Sequence, residues 1–170
     1  IWNWLYVRGA VDFAQMTNIS KETRDLLTVN YNLQRPSVTF DKTSSDGTRK
    51  WLVKFADGNL VEMVFIPEEN RGTLCISSQV GCTLSCKFCH TGTQTLVRNL
   101  ETHEIIAQIL LAKDFLQDWK KPARLTNIVF MGMGEPFLNY PEVNKALEIF
   151  CGPKFLNFSE RRVTISTCGI

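Results

Sequence analysis

The first thirty-odd residues place apolar positions at helical intervals, with two interruptions. Ser20 is placed to cap a helix through Glu22, Asp25, Leu26 and Leu27, because its hydroxyl can accept a first-turn N–H and early carboxylates suit the positive end of the helix dipole. Gly9 and Met16-Thr17-Asn18 separate shorter helical pieces. Gln34-Arg35-Pro36-Ser37 ends the region, since the residue before a proline is driven out of the helical conformation. The period then changes to two. Lys50 to Ala56 alternates, with Trp51, Val53 and Phe55 on one face, Asp57-Gly58 supplies turn chemistry, and Leu60 to Ile66 is the partner strand of a hairpin. That strand is apolar on both faces, with Val61, Met63 and Phe65 on one and Leu60, Val64 and Ile66 on the other. Glu62 is its lone charge, and Pro67, Glu68 and Glu69 end it.

From Leu74 a short apolar strand runs into a cysteine-rich loop. Thr102 then opens a helix striped by Ile105, Ile109, Ala112, Leu116 and Trp119, with Pro122 as its stop. Ile128-Val129-Phe130-Met131 is a wholly apolar strand of the kind buried by helices on both sides. Pro141 occupies a first-turn position of a second helix striped by Val143, Ala146, Leu147 and Phe150, and Val163-Thr164-Ile165 opens another strand. Strand, helix, strand, helix, strand is the opening of a parallel α/β domain. Three such strands cannot close a barrel or complete a doubly wound sheet, so the expected fold class is an incomplete α/β domain preceded by helices and a β-hairpin. The expected boundaries are a helical region over 1–36, a hairpin and linking region over 37–70, and the α/β part over 71–170.

Composition adds little to this picture. With 44% hydrophobic residues, 11 Phe and 4 Trp, the chain can build a core without disulfide staples. A net charge of +2 from 19 basic and 17 acidic residues permits a nucleic-acid partner without pointing to one. No apolar run reaches the roughly 18 residues of a membrane span. Ile1-Trp2-Asn3-Trp4 has neither the basic lead nor the cleavage site of a secretory signal. A start without Met, and an end at Ile170 directly after a strand, are expected of part of a longer protein.

The candidate chemistry lies in the cysteines. Cys82, Cys86 and Cys89 stand at spacings of three and two intervening residues. Soft thiolates grouped on a loop select zinc, copper(I) or iron–sulfur. A structural zinc site needs a fourth ligand, for which Cys75 and His90 are candidates, although adjacent residues such as Cys89 and His90 rarely reach one metal together. An iron–sulfur cube on three cysteines leaves one iron open to an external molecule, and three buried, inert cysteines are the remaining reading. A second candidate is Met131-Gly132-Met133-Gly134-Glu135-Pro136, at the strand edge where parallel α/β domains bind ligands: two glycines admit a close ligand, and a carboxylate can accept from an ammonium, with a plain turn as the other reading. A third is Glu62, whose carboxyl, if buried among its apolar neighbours, is raised toward the range that suits proton transfer near neutrality; the other reading places it at an exposed edge with no role. Arg161 and Arg162 are either a solvated pair or an RNA phosphate contact.

The cysteine loop, with Phe88 at its aromatic position, resembles the cluster motif of the radical S-adenosylmethionine enzymes. The longer string Thr73-Leu74-Cys75-Ile76-Ser77-Ser78-Gln79-Val80-Gly81-Cys82, with Phe88-Cys89 and Arg98-Asn99-Leu100, resembles the RlmN family of RNA methyltransferases. The resemblance implies an incomplete radical SAM partial (βα) barrel, preceded by a small α+β domain. It implies a [4Fe-4S] cluster on Cys82, Cys86 and Cys89, and S-adenosyl-L-methionine bound at Gly134, Glu135 and Ser166. It makes Glu62 a proton acceptor and Cys75 an auxiliary thiol, with a disulfide bond among the expected features. Cys168 stands where the family usually has a serine. The implied reaction methylates carbon 2 of an adenine in 23S rRNA and in tRNA anticodon loops, with a flavodoxin-like reductant, in a cytoplasmic monomer that touches no membrane. The methyl-carrying cysteine of the family lies beyond the segment matched here, so the chain as given is expected to be unable to methylate RNA. Two other readings stand beside this one: a related enzyme acting on carbon 8 of the ribosomal adenine, and a zinc-stabilised RNA-binding module.

Overall fold

A computed structural model describes residues 1–170. The helical lead contains α1 (Trp2–Tyr6), a 3-10 turn at Phe13–Gln15 and α2 (Lys21–Asn30), broken at the two places expected. Ser20 caps α2 by accepting the Thr23 N–H at 3.3 Å. Ala10, Phe13 and Met16 form a small core of this region. Arg35 anchors it to the rest of the chain through an ion pair with Asp114 at 2.8 Å.

Eight strands follow: β1 (Ser37–Thr43), β2 (Arg49–Lys54), β3 (Leu60–Glu68), β4 (Arg71–Cys75), β5 (Gln79–Val80), β6 (Arg98–Asn99), β7 (Asn127–Phe130) and β8 (Val163–Ile165). Six of them make one sheet in the order β1-β2-β3-β4-β7-β8, and β5 and β6 pair separately. The first four strands are antiparallel, whereas β4, β7 and β8 are parallel. Helices α3 (Thr102–Leu116) and α4 (Tyr140–Cys151) are the two crossovers. The expected hairpin is therefore continuous with the parallel strands, through the β3–β4 pairing that spans residue 70.

All cover comes from one side. Trp51, Val53, Val61, Met63, Phe65, Leu74, Ile128 and Phe130 point from the sheet into a single core with Ile105, Ile109, Ala112, Val143, Ala146 and Phe150 of the helices. Burying side chains of this size contributes about 1.5–3 kcal/mol each. The other face carries Lys50, Leu52, Glu62, Val64, Cys75, Val129 and Thr164, all less buried, and no helix of this chain lies over it. The result is the expected mixed α/β architecture, an open partial barrel with helices outside and a bare inner face.

Four expectations need correction. Strand β1 was not anticipated: it is an exposed edge strand with a bulge between Val38 and Phe40 and only one half-buried residue, so it carries no apolar alternation. Strand β3 runs two residues past the expected Ile66 and ends at Glu68, within the Pro67-Glu68-Glu69 stretch expected to close it. Trp119 lies outside α3, because Gln117 turns left-handed (φ 53°) and ends the helix before Pro122. Trp119 folds back, donating from Nε1 to Asp114 at 2.8 Å. Met131 is exposed at the end of β7 rather than buried within it.

Candidate functional site

The cysteine loop leaves the sheet after β4 and returns through β6, so the β5–β6 ladder closes its base. That base is held by buried polar side chains. Gln108 of α3 brackets Ser77, accepting its N–H at 2.9 Å and donating to its carbonyl at 3.0 Å. Asn139 donates to the carbonyls of Ser78 and Leu100, both at 2.8 Å, and so ties the two stems of the loop together. Arg98 forms a bidentate pair with Glu104 at 2.7 Å and a 2.6 Å contact with Asp57, joining the loop's exit to α3 and to the β2–β3 turn. These partners raise the Arg98 guanidinium and hold the Asp57 carboxyl far below its ordinary value.

The segment after β7 is fastened to the same base. The Met133 carbonyl accepts the N–H of Ser78 at 2.9 Å, its N–H donates to the Ser77 hydroxyl at 2.8 Å, and the Glu135 N–H donates to Gln79 at 2.8 Å. Gly134 sits at φ 94°, where a Cβ would come within 2.4 Å of the Gln79 side chain, so both the conformation and the space require glycine. A side chain at Gly132 would likewise meet the Ser77 hydroxyl at 2.6 Å.

These loops converge on one cavity of about 230 Å³, lined by Cys82, Cys86, Cys89, Gly134, Glu135 and Ser166, together with Cys168. All six residues expected to hold cluster and cofactor are thus brought together, from three separate loops. Glu135 is only 4% exposed. Burial pushes its carboxyl up, but the N–H groups of Cys168 (3.0 Å) and Phe137 (3.1 Å), with the Thr167 hydroxyl and the Cys168 thiol, outweigh that and hold it below its usual value. The Cys168 thiol is raised by burial and by this carboxylate. Within the loop the Leu84 N–H donates to the Cys82 sulfur, 3.4 Å away. All six cysteines are free, so the expected disulfide is not formed. The three loop thiols share the cavity without being drawn to one point: no group of three or more His, Cys, Asp or Glu side chains is arranged to hold a metal ion.

Glu62 and Cys75 lie elsewhere, on the bare face of the sheet. Of the two readings of Glu62, buried or at an exposed edge, the structure shows the exposed one: its side chain is 45% exposed and pairs with Lys50 Nζ at 2.6 Å. The alternation of β3 sends Val61 and Met63 into the core and Glu62 to the side that no helix covers. Cys75 is the better buried of the two. Desolvation, and to a lesser degree the charge of Glu62, raise its thiol, while a hydrogen bond from the Met131 backbone opposes them. Ser77, Gln79, Gln108 and Asn139, on which the geometry of the cavity rests, were not singled out from the sequence. A Gln within the apolar run of α3 was the one available signal.

The sequence model of the radical SAM superfamily matches residues 76–170, and that of the ribosomal RNA large subunit methyltransferase N-terminal domain matches residues 1–32. Curated relatives named dual-specificity RNA methyltransferase RlmN, from Jannaschia sp. (strain CCS1) and Brucella melitensis biotype 2, are each 52% identical over the whole of this chain, which corresponds to 45% and 46% of their lengths. The chain therefore spans about half the length of the curated relatives it matches. A crystal structure of a radical SAM methyltransferase from Sphaerobacter thermophilus superposes with a TM-score of 0.90 at 38% identity, over 99% of this chain and 49% of that one. No helix is long and apolar enough to cross a membrane. The partial barrel, the loop of three cysteines and these matches agree: the chain belongs to the radical SAM superfamily, among its RlmN-type members.

Proposed function

We propose that the protein containing this chain methylates carbon 2 of an adenine in 23S rRNA and in tRNA, with residues 71–170 as its radical SAM part. The observation that carries the reading is the single cavity shared by Cys82, Cys86, Cys89, Gly134, Glu135 and Ser166. The donor set fits an iron–sulfur cluster: three soft thiols, unpaired with each other, on one loop whose base is rigidly held. Cys82, Cys86 and Cys89 would hold a [4Fe-4S] cluster there, which when bound supplies the electron for reductive cleavage of S-adenosylmethionine.

The rest of the work falls to this chain's own groups. Glu135 offers a carboxylate kept ionised across the physiological range, and it lines the same cavity as the three cysteines. Its two backbone donors are fixed, but the Thr167 hydroxyl and Cys168 thiol can rotate away and leave lone pairs for the ammonium of the cofactor's methionine part. Gly134 lets that part approach the backbone, and Ser166 contributes a hydroxyl at the same wall. On the bare face Glu62 takes the proton lost from carbon 2, and Cys75, kept as a neutral thiol, is available to resolve a protein–RNA link. A flavodoxin-like reductant, a monomeric state and a cytoplasmic location complete the proposal. The test is to digest treated ribosomal and transfer RNA and identify the product by mass spectrometry. 2-methyladenosine supports the reading; 8-methyladenosine would transfer it to the related carbon 8 chemistry.

A further inference from the structure

Glu62 is half exposed, with a cation on it, rather than enclosed among apolar neighbours. We propose that Lys50 is a positioning residue for the proton acceptor, holding the Glu62 carboxylate in one orientation on the bare face of the sheet. This rests on Glu62 being the base. The ion pair is diagonal across the β2–β3 ladder: Lys50 faces Val64 and Leu52 faces Glu62, so the lysine reaches one row along the strand to meet the carboxylate at 2.6 Å. Diagonal pairs of this kind are within reach of long side chains.

The backbone of Glu62 is fixed as well. Its carbonyl accepts the Ser77 hydroxyl at 2.7 Å, and that same hydroxyl accepts the Met133 N–H at 2.8 Å. The strand that carries the base is thus tied to the stem of the cysteine loop and to the segment leading into Gly134. Lys50 supplies the remaining constraint, on the side chain. A Glu on an exposed face otherwise samples several rotamers, most of which point away from any one reacting atom. The other ionisable groups around it on this face are Lys42, whose strand partner is Lys50, Lys54, whose strand partner is Leu60 on the opposite diagonal from Glu62, and Cys75, whose strand partner is Val64. Lys50 is the residue paired with Glu62. In the step itself carbon 2 already carries its new carbon–carbon bond: the C2–H bond breaks, its proton ends on a Glu62 oxygen, its electron pair returns to the ring and restores aromaticity, and Lys50 keeps its own proton.

The experiment compares Lys50→Met, Lys50→Arg and Glu62→Gln in the complete cluster-loaded protein, with RNA carrying hydrogen or deuterium at the target carbon 2. Lys50→Met keeps the aliphatic stem, and thermal melting confirms that the fold is retained. Expected for Lys50→Met is a fall of about 10-fold in kcat with KM for RNA unchanged, the scale of a misplaced catalytic group. A larger deuterium effect on kcat than in the parent should accompany it, because removal of the C2 proton becomes slower. Lys50→Arg should restore most of both. A Lys50→Met protein that instead raises KM for RNA, with no change in the deuterium effect, would make Lys50 a phosphate contact and overturn the inference. Loss of activity in Glu62→Gln together with normal kcat in Lys50→Met would overturn it while sparing the base. Full activity in Glu62→Gln would remove the base and the inference together.

Discussion

The backbone N–H of Glu135 donates to the side-chain oxygen of Gln79 across 2.8 Å, and this bond joins two loops that the sequence separates by 56 residues. Gln79 is fully buried, and its amide nitrogen donates to Asn99 at 2.7 Å. One side chain therefore sets the entrance and exit of the cysteine loop against the segment that carries the candidate ammonium acceptor.

Replacing Gln79 by Leu should strand the Glu135 N–H in a dry interior, while the exposed Asn99 oxygen can turn to water. A loss of about 1–3 kcal/mol in unfolding free energy is expected, the usual cost of an unsatisfied buried group. Chemical denaturation measures it. Gln79→Glu, which keeps an acceptor for the Glu135 N–H, should lose less. Equal losses would mean that this bond does not fix the loop.

Gly134→Ala forces a side chain into a left-handed residue and against Gln79. Strain of about 1–3 kcal/mol is expected. Relief should come by moving the Glu135 carboxylate, so binding of S-adenosylmethionine, followed by calorimetry in cluster-loaded protein, should weaken more than stability does. Unchanged affinity would take this segment out of the cofactor site.

These two residues show what could be read from the sequence and what could not. Strand and helix periods located β2, β3, α3, β7, α4 and β8, because each carries an apolar stripe against the core. They could not tell which face of β3 is covered, since Leu60, Val64 and Ile66 read as apolar as Val61, Met63 and Phe65 do. Only the one-sided packing of α3 and α4 decides that, and it is why the sequence left Glu62 open between a buried and an exposed position. The cavity residues were legible through the resemblance of two short strings. Gln79, Gln108 and Asn139 were not, because a buried amide has no pattern of its own: its meaning is the backbone it meets after folding.

Acid should weaken the fold through Glu135 and Glu142. Glu135 is held below its ordinary value by the donors that outweigh its burial, and Glu142 is lowered to about 2 by Lys145 and by the Thr102 hydroxyl and N–H. A carboxyl whose folded value is depressed stabilises above its unfolded value, about 4.3, and loses that contribution as pH falls toward the folded one. Stability should accordingly decline from about pH 5 downward. The double variant Glu135→Gln, Glu142→Gln should start less stable at neutral pH and decline less steeply. An identical slope would deny both carboxyls their partners.

Cys75 should alkylate slowly. Burial and the charge of Glu62 keep its thiol protonated, and the thiolate is the reactive form. At pH 8, iodoacetamide labelling followed by peptide mass spectrometry should show Cys75 reacting more slowly than Cys82, Cys86 and Cys89 in cluster-free protein. Glu62→Gln should speed Cys75 modestly, by about two- to threefold, by removing the charge. Labelling of Cys75 ahead of the loop thiols would contradict its placement on the sheet.

The most direct measurement is the iron, acid-labile sulfide and zinc content of anaerobically reconstituted protein, compared across Cys82→Ala, Cys86→Ala, Cys89→Ala, Cys75→Ala and Cys168→Ala. The account expects about four irons and four sulfides per chain in the parent. It expects that content to be lost on replacing any of the three loop cysteines and kept on replacing Cys75 or Cys168. Zinc without sulfide, or a cluster that survives loss of Cys89 and fails with loss of Cys75, would contradict it.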